Sequence, residues 1–199
     1  MKVRFVLAAT VLFVAGLAQA AIVSLVPSAN SVASGSQLTV NVVVDGLGSG
    51  QVVGGFDLDI VFNASILSAT SVVFGTALGL DGVDQFSSAI LSPGRIDFAA
   101  ISLLSGVDLL ALQVGAFSIA QLTFDALAPG FTAIGFDLLT APGLLFSDGF
   151  GNSLSVAVGS EGSVTVTAAG GTVPVPGSLS LVLLSLLLIP MTRTLGQLA

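Results

Sequence analysis

The chain has 199 residues, 54% of them hydrophobic, with 24 glycines and no cysteine, histidine, tryptophan or tyrosine. Without His or Cys there is no Ser-His-Asp or Cys-His nucleophile, no histidine metal site, no ordinary proton shuttle near neutral pH and no disulfide framework. All eleven acidic residues lie between Asp45 and Glu161, where Arg95 is the only base, so this interval carries a net charge of −10 and is a poor partner for nucleic acid, whose phosphates need clustered Lys and Arg.

At the N-terminus, Lys2 and Arg4 precede the apolar run Phe5 to Leu17, and Ala18-Gln19-Ala20 offers the small-x-small pattern of a signal-peptidase site. A helix needs roughly 20 residues to cross a bilayer, which this run does not reach. Residues 1–20 therefore read as a cleaved signal peptide, and the protein as exported to the cell surface or beyond it. Residues 21–167 are long enough for one domain with its own core.

That interval reads as strands. Runs rich in Val, Ile, Thr and Phe fall at Ala21 to Val26, Gln37 to Val44, Phe56 to Phe62, Ile66 to Phe74, Gln85 to Leu91, Arg95 to Ile101 and Ala116 to Phe124. Shorter alternating runs follow at Ile134-Phe136-Leu138, Leu154-Val156-Val158 and Val164-Val166, giving about ten strands. Turns punctuate them at Asp45-Gly46, Ser92-Pro93-Gly94, Ala128-Pro129-Gly130 and Ser147-Asp148-Gly149. The clearest alternation puts Phe56, Leu58, Ile60 and Phe62 on a core face and Asp57 and Asp59 on the other. No 3.6-residue stripe competes, and no helices alternate with the strands to make parallel crossovers, so an all-β, two-sheet antiparallel sandwich is expected.

The Gly/Pro-rich stretch 168–178 reads as a linker, and residues 179–199 as an apolar helical tail that anchors or sorts the protein. Leu179 to Met191 is almost free of polar groups, but its 13 residues span only roughly 20 Å of a hydrocarbon core about 30 Å thick. The arrangement Val173-Pro174-Val175-Pro176, then the apolar run, then Arg193 resembles the PEP-CTERM sorting signal of bacterial exported proteins. The resemblance implies recognition by a membrane protease, with Pro174, Val175, Pro176 and Arg193 as the sorting motif. Val175 stands where that family has glutamate.

Between Ala21 and Thr167 the order of runs resembles a cohesin domain. The residues that carry this are the opening strand ending in Val26-Pro27, Val32-x-x-Gly35-x-x-Leu38-Thr39-Val40-Asn41-Val42, and Gly54 to Leu67. To these are added Ile119-Ala120-Gln121-Leu122-Thr123-Phe124 and the closing Gly162-Ser163-Val164-Thr165-Val166. The resemblance implies a jelly-roll-like sandwich that binds a dockerin-like protein partner through one face, in a fold related to carbohydrate-binding modules. Asn63 stands where the family commonly has Asp.

On charge grounds, Asp57 and Asp59 mark a candidate binding face. A glycosidase would need two carboxylates flanking a bond, but neighbours two apart on one strand lie about 7 Å from each other and point the same way, which makes no cleft. Not an enzyme is the reading. Calcium takes oxygen ligands from acidic loops, and Asp81 with Asp84, and Asp148 with Asn152, are the candidate metal ligands, though neither loop has the acidic positions of an EF-hand. Two functional readings stand. One is an exported surface module that binds a protein partner or a polysaccharide; the other is a structural envelope or matrix component with no discrete partner.

Overall fold

Strict alternation of apolar and polar side chains requires two faces in unlike surroundings, and two packed sheets provide them. The computed structural model describes residues 20–139 and 143–170. Its strands are β1 (Ala21–Pro27), β2 (Ser31–Ala33), β3 (Gln37–Asp45), β4 (Gly55–Phe62), β5 (Leu67–Phe74), β6 (Gln85–Ser92), β7 (Arg95–Ser102), β8 (Phe117–Ala126), β9 (Gly130–Phe136), β10 (Leu144–Ser147), β11 (Val156–Val158) and β12 (Gly162–Thr167). A 3-10 turn (Thr76–Leu78) follows β5 and one helix, α1 (Gly106–Leu112), follows β7. Residues 1–19 of the expected signal peptide, the expected sorting residues Pro174, Val175, Pro176 and Arg193, and the apolar tail 179–199 lie outside the described residues.

One sheet has the order β11-β1-β3-β8-β5 and the other β2-β12-β9-β4-β7-β6. In the second, β4 is the central strand. β7 pairs with one edge along Gly55 to Val61, while β10 and β9 share the other edge, at Gly55 to Leu58 and Ile60 to Phe62 respectively. Pairing is antiparallel except for two three-residue edge contacts, β1 with β11 and β2 with β12. The expected antiparallel sandwich is the observed one. All ten expected runs overlap strands, and the added ones, β2 and β10, are short.

The core fills from the two inner faces. Leu58, Ile60, Ile96, Phe98, Ile134 and Val164 of one sheet meet Val23, Val40, Val42, Leu122 and Phe124 of the other, all fully buried. Phe98 packs edge-on against Phe56, with ring centroids 5.8 Å apart, and Phe56 also meets Phe74 and Phe146. Burying each such side chain contributes on the order of 2 kcal/mol before entropy is subtracted. A bulge in β8 lets Ile119 and Ala120 both turn inward, because Val42 pairs with Ala120 and Val43 with Ser118, leaving Ile119 without an opposite residue.

Strand register sorts the connections into two ends. The β6–β7 turn, where Gly94 takes φ +80° after Pro93, lies with the Asn63-Ala64-Ser65 turn, the start of β9 and Thr167. Asn63 Oδ1 accepts from Ser65 N at 3.0 Å and Ser65 Oγ at 2.7 Å, so this segment is a hydrogen-bonded turn. The opposite end carries the 3-10 turn and α1. Ser105 caps α1, accepting from Asp108 N at 3.3 Å and donating to Asp108 Oδ2 at 2.6 Å. Gln113, buried at the helix C-terminus, accepts from Val53 N and donates to Val53 O, both at 2.7 Å, and donates to Ala77 O at 3.1 Å. The alternation-based expectation contained no helix. Two turns of chain, pinned by one cap and one glutamine, are too short to show a stripe.

Candidate functional site

Residues directly opposite in an antiparallel ladder share a face, so the registers assign the outer surface of the β4 sheet. It carries Asp57, Asp59 and Val61 of β4, Arg95, Asp97, Ala99 and Ile101 of β7, Phe86, Ser88 and Ile90 of β6, and Leu145 of β10. β6 wears its large apolar side chains on the outside: Phe86 is 60% exposed and Ile90 61%, while the smaller Ser87 and Ala89 turn in. Beside them lies an open groove of about 360 Å³ lined by Phe86, Ser88, Ala99, Ile101, Leu145 and Asp57. Apolar walls with one carboxylate at the margin form a surface that water covers poorly.

The two aspartates of the expected binding face have unlike fates. Both lie on the outer face as alternation requires, but Asp59 is 1% exposed. Arg95 folds over it, Nε donating to Oδ1 at 3.0 Å and Nη2 lying 2.7 Å from Oδ2, while Nη1 reaches Asp137 Oδ2 at 3.3 Å. The backbone of Asp59 is engaged as well, with its N–H donating to Gly143 O and its carbonyl accepting from Asp137 N. Asp59 is thus a buried ionic anchor, and of the two aspartates only Asp57 lines the groove. The hydrogen bond to Asp59 raises the Arg95 guanidinium further above its ordinary range.

Partial burial, and then the neighbouring charges of Asp97 and Asp59, raise the Asp57 carboxyl above its ordinary value of 3.8. The folded state thus holds a proton on Asp57 at pH values where the unfolded chain has released it. This burden is absent below the unfolded value and grows as pH rises through the folded one. Asp57→Asn is expected to raise stability in urea unfolding at pH 7 and to leave it unchanged near pH 3, so the gap between variant and parent opens with rising pH.

The expected metal loops hold themselves together. Asp148 Oδ1 accepts from Phe150 N at 2.8 Å and Asn152 N at 2.9 Å, and Oδ2 accepts from Asn152 Nδ2 at 3.0 Å. The Asn152 side chain, then the N–H groups of Phe150 and Asn152, hold the Asp148 carboxyl below its ordinary value. This is an aspartate turn whose N–H donors occupy the carboxylate where a cation loop would present oxygens. Asp81 accepts from Ser87 Oγ, and Asp84 N donates to Leu80 O. Among the described residues no three acidic side chains gather as a metal site.

The outer face of the β3 sheet differs in kind. Gln37 donates to Asp125 at 3.1 Å and Gln121 to Asn41 at 3.1 Å, with Thr39 opposite Thr123, a polar ladder satisfied by its own side chains. The outward apolar residues of β6 were a signal open to sequence reading. It lay in the reversal of large and small side chains from Phe86 to Ile90, which the run as a whole concealed.

A family profile described as Cohesin domain matches residues 23–166. Among solved structures, a chain of a type II cohesin–X–dockerin complex from Acetivibrio cellulolyticus superposes with a TM-score of 0.62 at 14% identity, covering 74% of this chain and 99% of that one. The second type II cohesin module of a cellulosomal adaptor scaffoldin from the same organism gives 0.61 at 15% identity over 76% and 99% of the two chains. A type I cohesin from Pseudobacteroides cellulosolvens gives 0.57 at 18% over 77% and 96%. At these identities the structural likeness is one of fold. No curated protein matches the chain in sequence.

Proposed function

This chain belongs to the cohesin family, and from that premise we propose that its sandwich docks a dockerin-like protein partner on the outer face of the β4 sheet. The module is not an enzyme, in keeping with its membership of the cohesin family; with no His and no Cys in the chain and Asp59 locked by Arg95, the face has no ordinary proton shuttle near neutral pH. The observation that carries the reading is the groove beside Asp57, where Phe86, Ala99, Ile101 and Leu145 leave apolar surface open to water. A partner would seat an aliphatic side chain there and bring a hydrogen-bond donor or cation to Asp57 and Asp97. The opposite face, with its side-chain ladder, offers few free donors or acceptors for a partner to bind.

Export is part of the proposal, with residues 1–20 as its signal and residues 179–199 as an anchoring or sorting tail. N-terminal sequencing of protein recovered from the cell envelope checks the first, with Ala21 expected at the start.

The docking test is an affinity capture with the full chain from the envelope and secreted fractions of its own organism, followed by calorimetry on the captured protein. Phe86→Asp and Ile101→Asp are each expected to weaken binding at least roughly thirtyfold, the range of an anchor side chain at an interface. Gln121→Ala, on the other sheet, is expected to leave it unchanged. Equal loss from all three, or no saturable partner, would overturn docking through this face; the latter result with an envelope defect on deletion would favour a matrix component.

A further inference from the structure

The end of the sandwich that carries α1 is apolar to an unusual degree. Val107 is 77% exposed and Val114 76%, and Leu80, Val83, Leu103, Leu110 and Leu112 are exposed around them. Between α1, the 3-10 turn and the loop before β6 lies a cleft of about 380 Å³, floored by Leu80, Leu104, Ala111 and Leu112 and flanked by Asp84 and Asp108. Monomeric proteins seldom leave so many large apolar side chains together in water unless something covers them.

Charge decides what that is. Asp45, Asp81, Asp84, Asp108 and Asp148 all belong to this end: Asp45 and Leu110 line one hollow, Asp84 and Asp108 another, and Gly149 approaches Gly106 and Leu109. Among the described residues the only cation is Arg95, which starts β7 next to the Pro93-Gly94 turn at the far end and is engaged by Asp59 and Asp137. A second copy meeting this one end to end would set these carboxylates against their own kind, and an anionic lipid surface would do the same.

We infer that the α1 end is a second docking surface, which takes a cationic amphipathic segment of another protein, its aliphatic side chains in the cleft and its Lys or Arg side chains beside Asp84 and Asp108. This surface is separate from the β4-sheet groove, and either can be lost alone.

The test uses the full chain and three helical peptides of equal length, one of Leu and Lys with an apolar face, one with Glu in place of Lys, and one with Ser in place of Leu. Fluorescence anisotropy is expected to show the Leu/Lys peptide binding at least tenfold more tightly than either control. Val107→Ser combined with Leu112→Ser removes exposed side chains and so keeps the fold, which circular dichroism verifies; it is expected to reduce that binding tenfold or more, while Ile101→Ser leaves it intact. Binding of the Ser/Lys peptide as tight as that of the Leu/Lys peptide, or loss in Ile101→Ser with retention in the double variant, overturns the inference. So does a concentration-dependent dimer in sedimentation that the double variant abolishes, since that would make a second copy the occupant.

Discussion

Arg95→Met is expected to lower the melting temperature by about 10 °C, whereas Asp59→Asn lowers it only slightly and the double variant recovers most of the loss. The asymmetry follows from burial. Asp59 is 1% exposed, and among the described residues its carboxylate meets no cation but Arg95, which holds both oxygens at 3.0 and 2.7 Å. Removing the guanidinium strands a negative charge inside the sheet, with Asp97 opposite Asp59 in register and Asp137 close by. Removing the charge of Asp59 strands nothing, because Arg95 keeps Asp137 at 3.3 Å and a third of its side chain already meets water. Differential scanning calorimetry of the three variants reads the order directly. Equal losses for Arg95→Met and Asp59→Asn would mean that the pair acts by packing alone.

The same residues mark where local pattern stops being informative. Alternation in Phe56-Asp57-Leu58-Asp59-Ile60 fixes which side of the sheet each side chain takes, and both aspartates are on the side it assigns. It says nothing of what lies over that side. The cover on Asp59 comes from positions 36 and 78 residues further along the chain, Arg95 and Asp137, brought there by strand pairing. Likewise the groove needs Phe86, Ile101 and Leu145 from three strands, none next to another in sequence. Most core strands were readable because their apolar residues recur every two positions, and even the short runs at Val156-Val158 and Val164-Val166 keep that period. β2 and β10 span three and four residues and show no period. For α1 a cue existed in Ser105-x-x-Asp108 ahead of Leu109-Leu110-Ala111-Leu112, a cap-and-run signature that amphipathic periodicity alone passes over.

Gly54→Ala is expected to cost about 3 kcal/mol in urea unfolding, the upper part of the range for forcing atoms into filled space. A glycine before a strand reads from sequence as a flexible lead, but the requirement here is room. A Cβ on Gly54 would stand 2.3 Å from Asp148 O and 2.8 Å from Gly149 Cα, all backbone, so no side chain can swing aside. Its own N–H and carbonyl are already tied, donating to Ser147 O and accepting from Ser102 N, each at 2.8 Å, and these bonds join β10 and β7 to the start of β4. To admit a methyl group, the Asp148-Gly149 backbone must move away, drawing with it Leu145 and Ser147 of the adjoining β10, which line the groove proposed for docking. The variant should therefore lose partner binding at temperatures where it remains folded. Gly35→Ala is the control, because that glycine has φ +86° and no atom within 4 Å of the added carbon. It is expected to lose only about 1 kcal/mol, from the left-handed backbone alone, and to bind as the parent does. If the two substitutions proved equally costly, close backbone approach at Gly54 would not be what seats β10 against the sheet.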